Sequence, residues 1–253
     1  MKDLMHFFLT VTTRPLRAAC VAALTLLAAL QSANAQSTCA SDGQPRPVRL
    51  MERFISADCE SCWKDPATTK VGNGDVVLDW VLASDKGDDA PLSAVASRDG
   101  LIRLAARGAA APKEAMTSTQ KVNGLKGTTL RVAHGIALSG YLGTSIELKP
   151  IPPTAKNQRW TAWLALVETI PEGTEGTPVA RNLVRNLIQP NWDGYKQLLK
   201  SERKADMARF FESRSMSVAQ GVNPDNLRVI GWVEDARGRV LVAAQSRCEV
   251  EGK

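Results

Sequence analysis

Two cysteines separated by two residues, Cys59 and Cys62, have the residue type and spacing best suited to chemistry in this chain. A disulfide of this spacing fits the first turn of a helix. There the free backbone N–H groups and the helix dipole stabilise a thiolate on the first cysteine. Such a thiolate attacks a partner's disulfide, and the second cysteine resolves the mixed disulfide. The spacing therefore predicts a thiol–disulfide exchange site with Cys59 as nucleophile and Cys62 as resolving thiol.

The spacing alone leaves two other interpretations open. The Cys59–Cys62 bridge can be a permanent brace in a non-catalytic binding or structural module. In reduced form, the two thiolates together with Met51 could hold a soft ion such as Cu(I). Tetrahedral zinc is disfavoured because a second Cys-x-x-Cys or a His pair is missing. Glu60 opposes a second negative charge beside it, and Lys64 offsets part of that effect. We predict no cofactor and no resident metal.

The first 35 residues have the pattern of a secretory signal peptide. Lys2, Arg14 and Arg17 precede an apolar run over residues 18–30, and an Ala-x-Ala cleavage site ends at Ala35. The apolar run is too short for a typical membrane span. We therefore expect a secreted protein, periplasmic if the host has two membranes. The mature chain would have 253 − 35 = 218 residues and no transmembrane segment.

Composition and charge narrow the class of protein further. Hydrophobic residues make up 44% of the chain, which is typical of a globular protein rather than a disordered one. The signal segment contains three basic residues and one acidic residue, so its removal changes the net charge to +6 − 2 = +4. A surplus this small, spread along the chain, gives no support for nucleic-acid binding.

Four cysteines remain in the mature chain, and an even number in an exported protein suggests disulfides. Of the three pairings, the most economical joins Cys59 to Cys62 and Cys39 to Cys248. The second bridge would close nearly the whole domain, which the chain-entropy model values at roughly 5 kcal/mol at most. We therefore predict Cys39–Cys248 as a structural disulfide.

The chemistry of the cysteine pair needs a strand that leads directly into it. Residues 48–55 alternate in polarity and predict the first strand, whereas the apolar run 76–83 predicts the second. Pro66 should end any helix that begins at the cysteines. Residues 92–107 favour a helix, although Asp99 and Gly100 interrupt its pattern.

The remainder of the chain is predicted to be mainly strands, with a helix over 195–213. His134, the single histidine of the mature chain, is interpreted as structural because no nucleophile motif accompanies it. Arg181 and Arg185 are expected to be solvated. The predicted strands cover residues 128–138, 158–168, 179–188, 227–234 and 239–244.

Residues 48–62 (VRLMERFISADCESC) resemble the start of a bacterial family of secreted thioredoxin-like proteins of unknown function. In that family, a strand ending in Phe and a Ser or Thr leads into Cys-x-x-Cys. Residues 160–168, 182–185 and 229–244 look similar to its later strands. One departure is that Ser118 falls where thioredoxin-like folds usually place a cis-proline opposite the disulfide.

The resemblance implies an α/β fold, with a thioredoxin-like domain over 48–150 and a β-rich part over 151–253 packed on it. An extended leader over 36–47 precedes both. It also implies thiol–disulfide exchange with an unknown protein partner through Cys59 and Cys62. The non-catalytic module with a structural disulfide remains the alternative.

Overall fold

The computed structural model describes residues 39–151, 160–190, 192 and 209–248. The predicted signal peptide and most of the predicted helix over 195–213 lie outside these ranges. The described elements, in chain order, are β1 (Cys39–Ala40), β2 (Arg49–Ser56), α1 (Glu60–Trp63), β3 (Asp75–Leu82), α2 (Asp99–Ala106), β4 (Ala115–Lys121), β5 (Thr129–Leu138), β6 (Tyr141–Lys149), β7 (Trp160–Ile170), β8 (Arg181–Ile188), β9 (Phe210–Ser217), β10 (Leu227–Asp235) and β11 (Val240–Gln245).

These strands form two sheets. The larger has seven strands in the order β11-β10-β7-β8-β3-β2-β4, and the smaller has four in the order β1-β5-β6-β9. β3 runs parallel to both β2 and β8, whereas the other neighbouring pairs are antiparallel. The parallel β2–β3 pair, with α1 in its crossover, is the local unit that the cysteine motif requires.

The predicted α/β, thioredoxin-like fold is wrong. The described part of the chain is β-rich, and its two α-helices have only four and eight residues. β2, β3 and β4 do not form a separate half, because their sheet continues through β8, β7, β10 and β11. Helix α1 ends at Trp63, and only Lys64 and Asp65 separate it from Pro66. With four residues, the helix is too short to cover a sheet face.

The sequence pattern missed several edge elements. β4 was not predicted because its residues (AMTSTQK) are mostly polar and half-exposed along the sheet edge. β9 lies where the predicted helix should have ended, and its Phe210 and Met216 face the core while Arg214 is exposed. The predicted helix over 92–107 begins only at Asp99, after a 3₁₀ turn at Ser93–Val95.

Residue alternation along β7 shows how the layers pack. Ala162, Leu164 and Leu166 face the four-stranded sheet and join its apolar residues. Trp163 and Ala165 point to the opposite face, toward the apolar cluster that includes Leu104 of α2. Successive side chains of a strand point to opposite faces, so one strand supplies both cores. The strand is buried on both sides and therefore reads as a nearly continuous apolar run.

Helix α2 is held to its face of the sheet by buried Arg103. This guanidinium donates to Glu52 at 2.7 and 2.9 Å and also pairs with Glu234. It lies 5.2 Å from the ring centroids of both Trp163 and Trp232. Burial by itself lowers the pKa of Arg103, but the two carboxylates outweigh that effect and raise it above its usual range. The contacts tie α2 to β2, β7 and β10.

The two sheets are in close contact at Gly231 of β10. A Cβ atom at this position would lie 2.5 Å from Val132 Cγ1 and 3.0 Å from Ile146 Cδ1, both on the smaller sheet. The absence of a side chain at Gly231 therefore allows the two layers to pack together. Gly143 of β6 has no atom within 4 Å of the equivalent Cβ position.

We expect Gly231→Ala to lower the free energy of unfolding by about 1–3 kcal/mol, because the added methyl group overpacks the contact between the sheets. Gly143→Ala is the matched control, and it should change stability by no more than about 0.5 kcal/mol. Urea unfolding followed by tryptophan fluorescence measures both changes. Equal losses in the two variants would show that the spacing between the sheets does not depend on Gly231.

Candidate functional site

The Cys59–Cys62 disulfide lies just beyond the carboxyl end of β2, where the chain turns into α1. Cys59 is the N-cap of this helix, and Cys62 lies in its single turn. The Cys59 N–H donates to the carbonyl of Ser56 at 2.9 Å, which fixes the entry into the turn. Cys59 is 9% exposed, whereas Cys62 is half-buried. The structure thus places both predicted site cysteines in one disulfide in the first turn of a helix.

The sulfur of Cys59 has the better polar environment of the two. It accepts from the backbone N–H of Cys62 at 3.3 Å and lies 3.4 Å from the hydroxyl of Ser61. Both groups stabilise negative charge on Cys59 when the disulfide opens. Glu60, the nearest carboxylate in sequence, forms an ion pair with Lys64 at 2.6 Å, which reduces its repulsion of a thiolate.

A buried charge cluster lies beneath the turn, on the same face of the large sheet. Asp79 of β3 pairs with Arg53 Nε at 2.7 Å and with Arg181 Nη1 at 3.3 Å. Its second oxygen accepts from Arg53 Nη2 at 2.8 Å and from the backbone N–H of Asn182 at 2.7 Å. All three charged side chains are at most 2% exposed. Two guanidinium groups and one carboxylate leave the cluster with a net positive charge.

Arg181 connects this cluster to the disulfide. Its Nη2 donates to the carbonyl of Trp63 at 2.8 Å and lies 3.5 Å from the carbonyl of Cys62. The guanidinium also stacks over the Trp63 ring at 4.9 Å, while the indole N–H donates to the carbonyl of Glu175 at 2.8 Å. Burial lowers the pKa of Arg181, and Asp79 opposes that effect. The expectation of a solvated Arg181 is therefore wrong, since it anchors the carboxyl end of α1.

A polar cavity of about 290 Å³ opens beside Cys62. Its walls come from the end of β2, the loop after α1 and the start of β4, and Arg181 and Glu114 contribute charges of opposite sign. A carboxylate oxygen of Glu114 and the sulfurs of Cys59 and Cys62 lie within 4.8 Å of one another. Cys62 lines this cavity and Cys59 does not, so Cys62 offers the more accessible approach to the disulfide.

The residue opposite the disulfide is Glu114 rather than Ser118. The carbonyl of Glu114 accepts from the N–H of Ser56 at 2.7 Å, immediately before the cysteine turn. Ser118 lies further along β4, paired with Glu52, and its hydroxyl accepts from Arg107 at 2.7 Å. The polar sequence of β4 contained no signal for its start, so the resemblance to thioredoxin-like folds pointed to Ser118 where the structure has Glu114.

The copper interpretation required Met51 to lie near the two cysteines. Met51 is paired with Val77 and Thr119 in the interior of the sheet. It lies four positions before Ile55, which corresponds to about 13 Å along a strand. The structure therefore does not bring Met51 to the cysteine pair.

The second disulfide joins Cys39 to Cys248, near the ends of the described chain, with a Cα–Cα distance of 3.9 Å. Cys39 is paired across the sheet with His134 of β5. His134 is 4% exposed, and its Nδ1 lies 2.9 Å from the carbonyl of Gly135. Burial lowers the pKa of His134, and the Gly135 carbonyl partly opposes this effect. Sequence spacing gave no signal that His134 would lie beside a disulfide.

Comparison with known proteins gives one informative similarity. No family model matches the chain, and no curated protein matches it. The fold is similar to the solved structure of HBP35 of Porphyromonas gingivalis, with a TM-score of 0.50 at 10% sequence identity. The match covers 82% of this chain and 77% of that one. Neither described helix has the length and hydropathy of a membrane-spanning segment.

We expect Arg181→Met to lower the free energy of unfolding by about 3–5 kcal/mol, because the change breaks a buried ion pair and removes the donor to the Trp63 carbonyl. Arg131→Met is the control: Arg131 Nε donates to both carboxylate oxygens of Asp42 in an exposed pair, worth about 0–1 kcal/mol. Urea unfolding of both variants measures the difference. Similar losses would contradict the anchoring role of Arg181.

Proposed function

We propose that this protein exchanges disulfides with a protein thiol partner through Cys59 and Cys62. The observation that carries the proposal is the setting of the Cys59–Cys62 bond. It lies in a helix turn at the carboxyl end of two parallel strands, with Cys62 at a polar cavity and Cys59 beside hydrogen-bond donors. A partner can reach the sulfur of Cys62, and the environment of Cys59 stabilises the thiolate that leaves.

The reaction conserves atoms and electrons in two displacement steps. A partner thiolate attacks Cys62 Sγ, the disulfide bond breaks, and its electron pair departs on Cys59 Sγ. Cys62 is then the thiol that forms the mixed disulfide and Cys59 the resolving thiol, which reverses the roles expected from the sequence, because Cys62 lines the cavity and Cys59 does not. A sulfur whose negative charge is stabilised leaves faster. The Cys62 N–H and the Ser61 hydroxyl stabilise this charge on Cys59 Sγ. A second partner thiolate then attacks the partner's sulfur in the mixed disulfide and releases Cys62. The chain gains two electrons and two protons, while the partner dithiol becomes a disulfide.

Charges around the bond contribute in opposite directions. The net positive cluster of Arg53, Asp79 and Arg181 lies behind the turn and favours thiolates. Glu114 lies within 4.8 Å of both sulfurs and disfavours a thiolate, but it is positioned to accept a proton from an attacking thiol. This arrangement favours exchange at the cavity side of the bond.

The alternative function is a binding or structural module in which the bond is a permanent brace. The small exposure of Cys59 favours this alternative, because a structural disulfide is shielded from reductants. Both functions are compatible with export, which we propose from the signal-peptide pattern of residues 1–35 and from the disulfides. They differ in the reducibility of the bond.

We expect the Cys59–Cys62 pair to have a reduction potential within the roughly −120 to −270 mV span of exchange proteins. Thiol trapping in glutathione buffers, with mass spectrometry assigning each cysteine, measures it on the intact chain. Cys59→Ser is the control, because this variant cannot form the bond. A potential below about −300 mV would identify a structural brace and reject the exchange function.

The two cysteines should also differ in adduct formation. After reduction and exposure to glutathione disulfide, Cys59→Ser should accumulate a stable adduct on Cys62, which lines the cavity and has lost its resolving partner. Cys62→Ser should accumulate several-fold less adduct, because Cys59 is only 9% exposed. Intact-protein mass spectrometry measures both adducts. Faster labelling of Cys59 would exchange the two roles, and failure of both cysteines to react would support the brace.

A further inference from the structure

The Cys39–Cys248 disulfide belongs to a row of three potential ligands that crosses three neighbouring chain segments. β1 pairs with β5 through Cys39 and His134, and with the C-terminal segment through Ala40 and Arg247. In an antiparallel pair, opposite residues have side chains on the same face. The two sulfurs and one ring nitrogen of His134 accordingly lie within 4.8 Å of one another.

The imidazole of His134 is held in the manner of a metal ligand. The carbonyl of Gly135 can only accept a hydrogen bond, so Nδ1 carries the proton and donates to it at 2.9 Å. Nε2 then carries the free lone pair. It is buried and has no hydrogen-bond partner among the described residues. Metal-binding histidines commonly donate their second ring nitrogen to a carbonyl in this way, which fixes the tautomer and the ring orientation.

The unpartnered Nε2 needs an explanation, because burial of a polar atom without a partner costs free energy. A hydrogen-bond donor for it is missing from the described surroundings. The neighbouring Thr144, which is paired with His134 on β6, donates its hydroxyl to the carbonyl of Arg214 instead. A cation shared with two thiolates would satisfy this nitrogen.

We propose that Cys39, Cys248 and His134 form a redox-gated Zn²⁺ site. Reduced, the three residues offer two thiolates and one imidazole nitrogen, a ligand set that suits zinc and leaves a fourth position for water. Cys248 is exposed, so the ion and the reductant can reach the site from solvent. The oxidised chain has no thiolate to offer and does not bind the ion.

The change from the disulfide to the zinc-bound form conserves atoms and electrons when a dithiol is the reductant. The dithiol transfers two electrons and two protons to the Cys39–Cys248 bond and becomes a disulfide. Zn²⁺ then displaces the two thiol protons, which pass to water. Removal of two electrons by an acceptor disulfide restores the bond and releases the ion. This site is separate from the Cys59–Cys62 pair and does not depend on its proposed function.

The test uses residues 36–253, the chain without its predicted signal segment, with Cys59→Ser and Cys62→Ser, so that Cys39 and Cys248 are its only thiols. The protein is reduced with dithiothreitol, freed of reductant without oxygen and titrated with Co²⁺. We expect one equivalent of Co²⁺ to produce thiolate-to-cobalt charge transfer and the strong visible bands of a tetrahedral site. Zn²⁺ should then displace it. The oxidised protein should show neither signal.

The role of His134 is tested with His134→Gln in the same background. Loss of this ligand should weaken Co²⁺ binding by more than the roughly 10- to 100-fold typical of losing an outer-shell partner. Thr144→Val, which changes the paired neighbour but removes no ligand, should bind as the background does. Unchanged affinity in His134→Gln, or no charge transfer in the reduced background, would overturn the proposal.

If reduction of the Cys39–Cys248 bond partly unfolds the chain, circular dichroism provides the measurement. Metal binding by a site formed only in the folded state adds to folding stability. Zn²⁺ should therefore restore the near-ultraviolet spectrum of the reduced background but not that of reduced His134→Gln. Restoration in both variants, or in neither, would reject a site built on His134.

Discussion

One carboxylate, that of Asp79, is the constraint on which the surroundings of the Cys59–Cys62 turn depend. Buried charges are costly unless they are paired and hydrogen-bonded, so Asp79 requires both Arg53 and Arg181 in place. β3 and β8 are paired at a single position, Asp79 with Leu183. Next to it, the backbone N–H of Asn182 donates to the Asp79 carboxylate. The same Arg181 then holds the carbonyl of Trp63. The position of the cysteine turn therefore follows from the pairing of three strands.

Strand β2 also contributes a buried charged residue to the opposite face of the large sheet. Glu52 and Arg53 are consecutive in β2, so their side chains point to opposite faces. Glu52 binds Arg103 and thereby fixes α2, whereas Arg53 binds Asp79 beneath α1. A shift of β2 by one residue would bury each charge against the wrong partner. Both faces are therefore set by one register. Buried arginines that are paired with carboxylates hold both short helices, Arg103 directly from α2 and Arg181 through the carbonyl of Trp63 in α1.

Much of the strand content could be predicted. Residues of β2 alternate in polarity, whereas β3, β7 and β10 are mostly apolar runs of strand length. The arrangement of these strands could not be predicted. A strand that is buried on both faces has the same apolar sequence whether helices or a second sheet cover it. The sequence therefore does not show which of the two packs against the strand. At Gly231 the cover is a second sheet, and this shows only in the folded chain, where Val132 and Ile146 lie against it. The polar edge strand β4 depends on β2 for its conformation and was therefore missed.

The sequence by itself determined the cysteine turn: the spacing of Cys59 and Cys62, and a helix that ends before Pro66. These features are local, since they depend on the conformation of a few consecutive residues. Only the tertiary structure decided what surrounds the sulfurs. Arg181 lies 119 residues from Cys62 in sequence, and His134 meets Cys39 only across a strand pair. Charge and ligand chemistry act through distances of a few ångströms in space, and the folding of the whole chain decides which residues come that close.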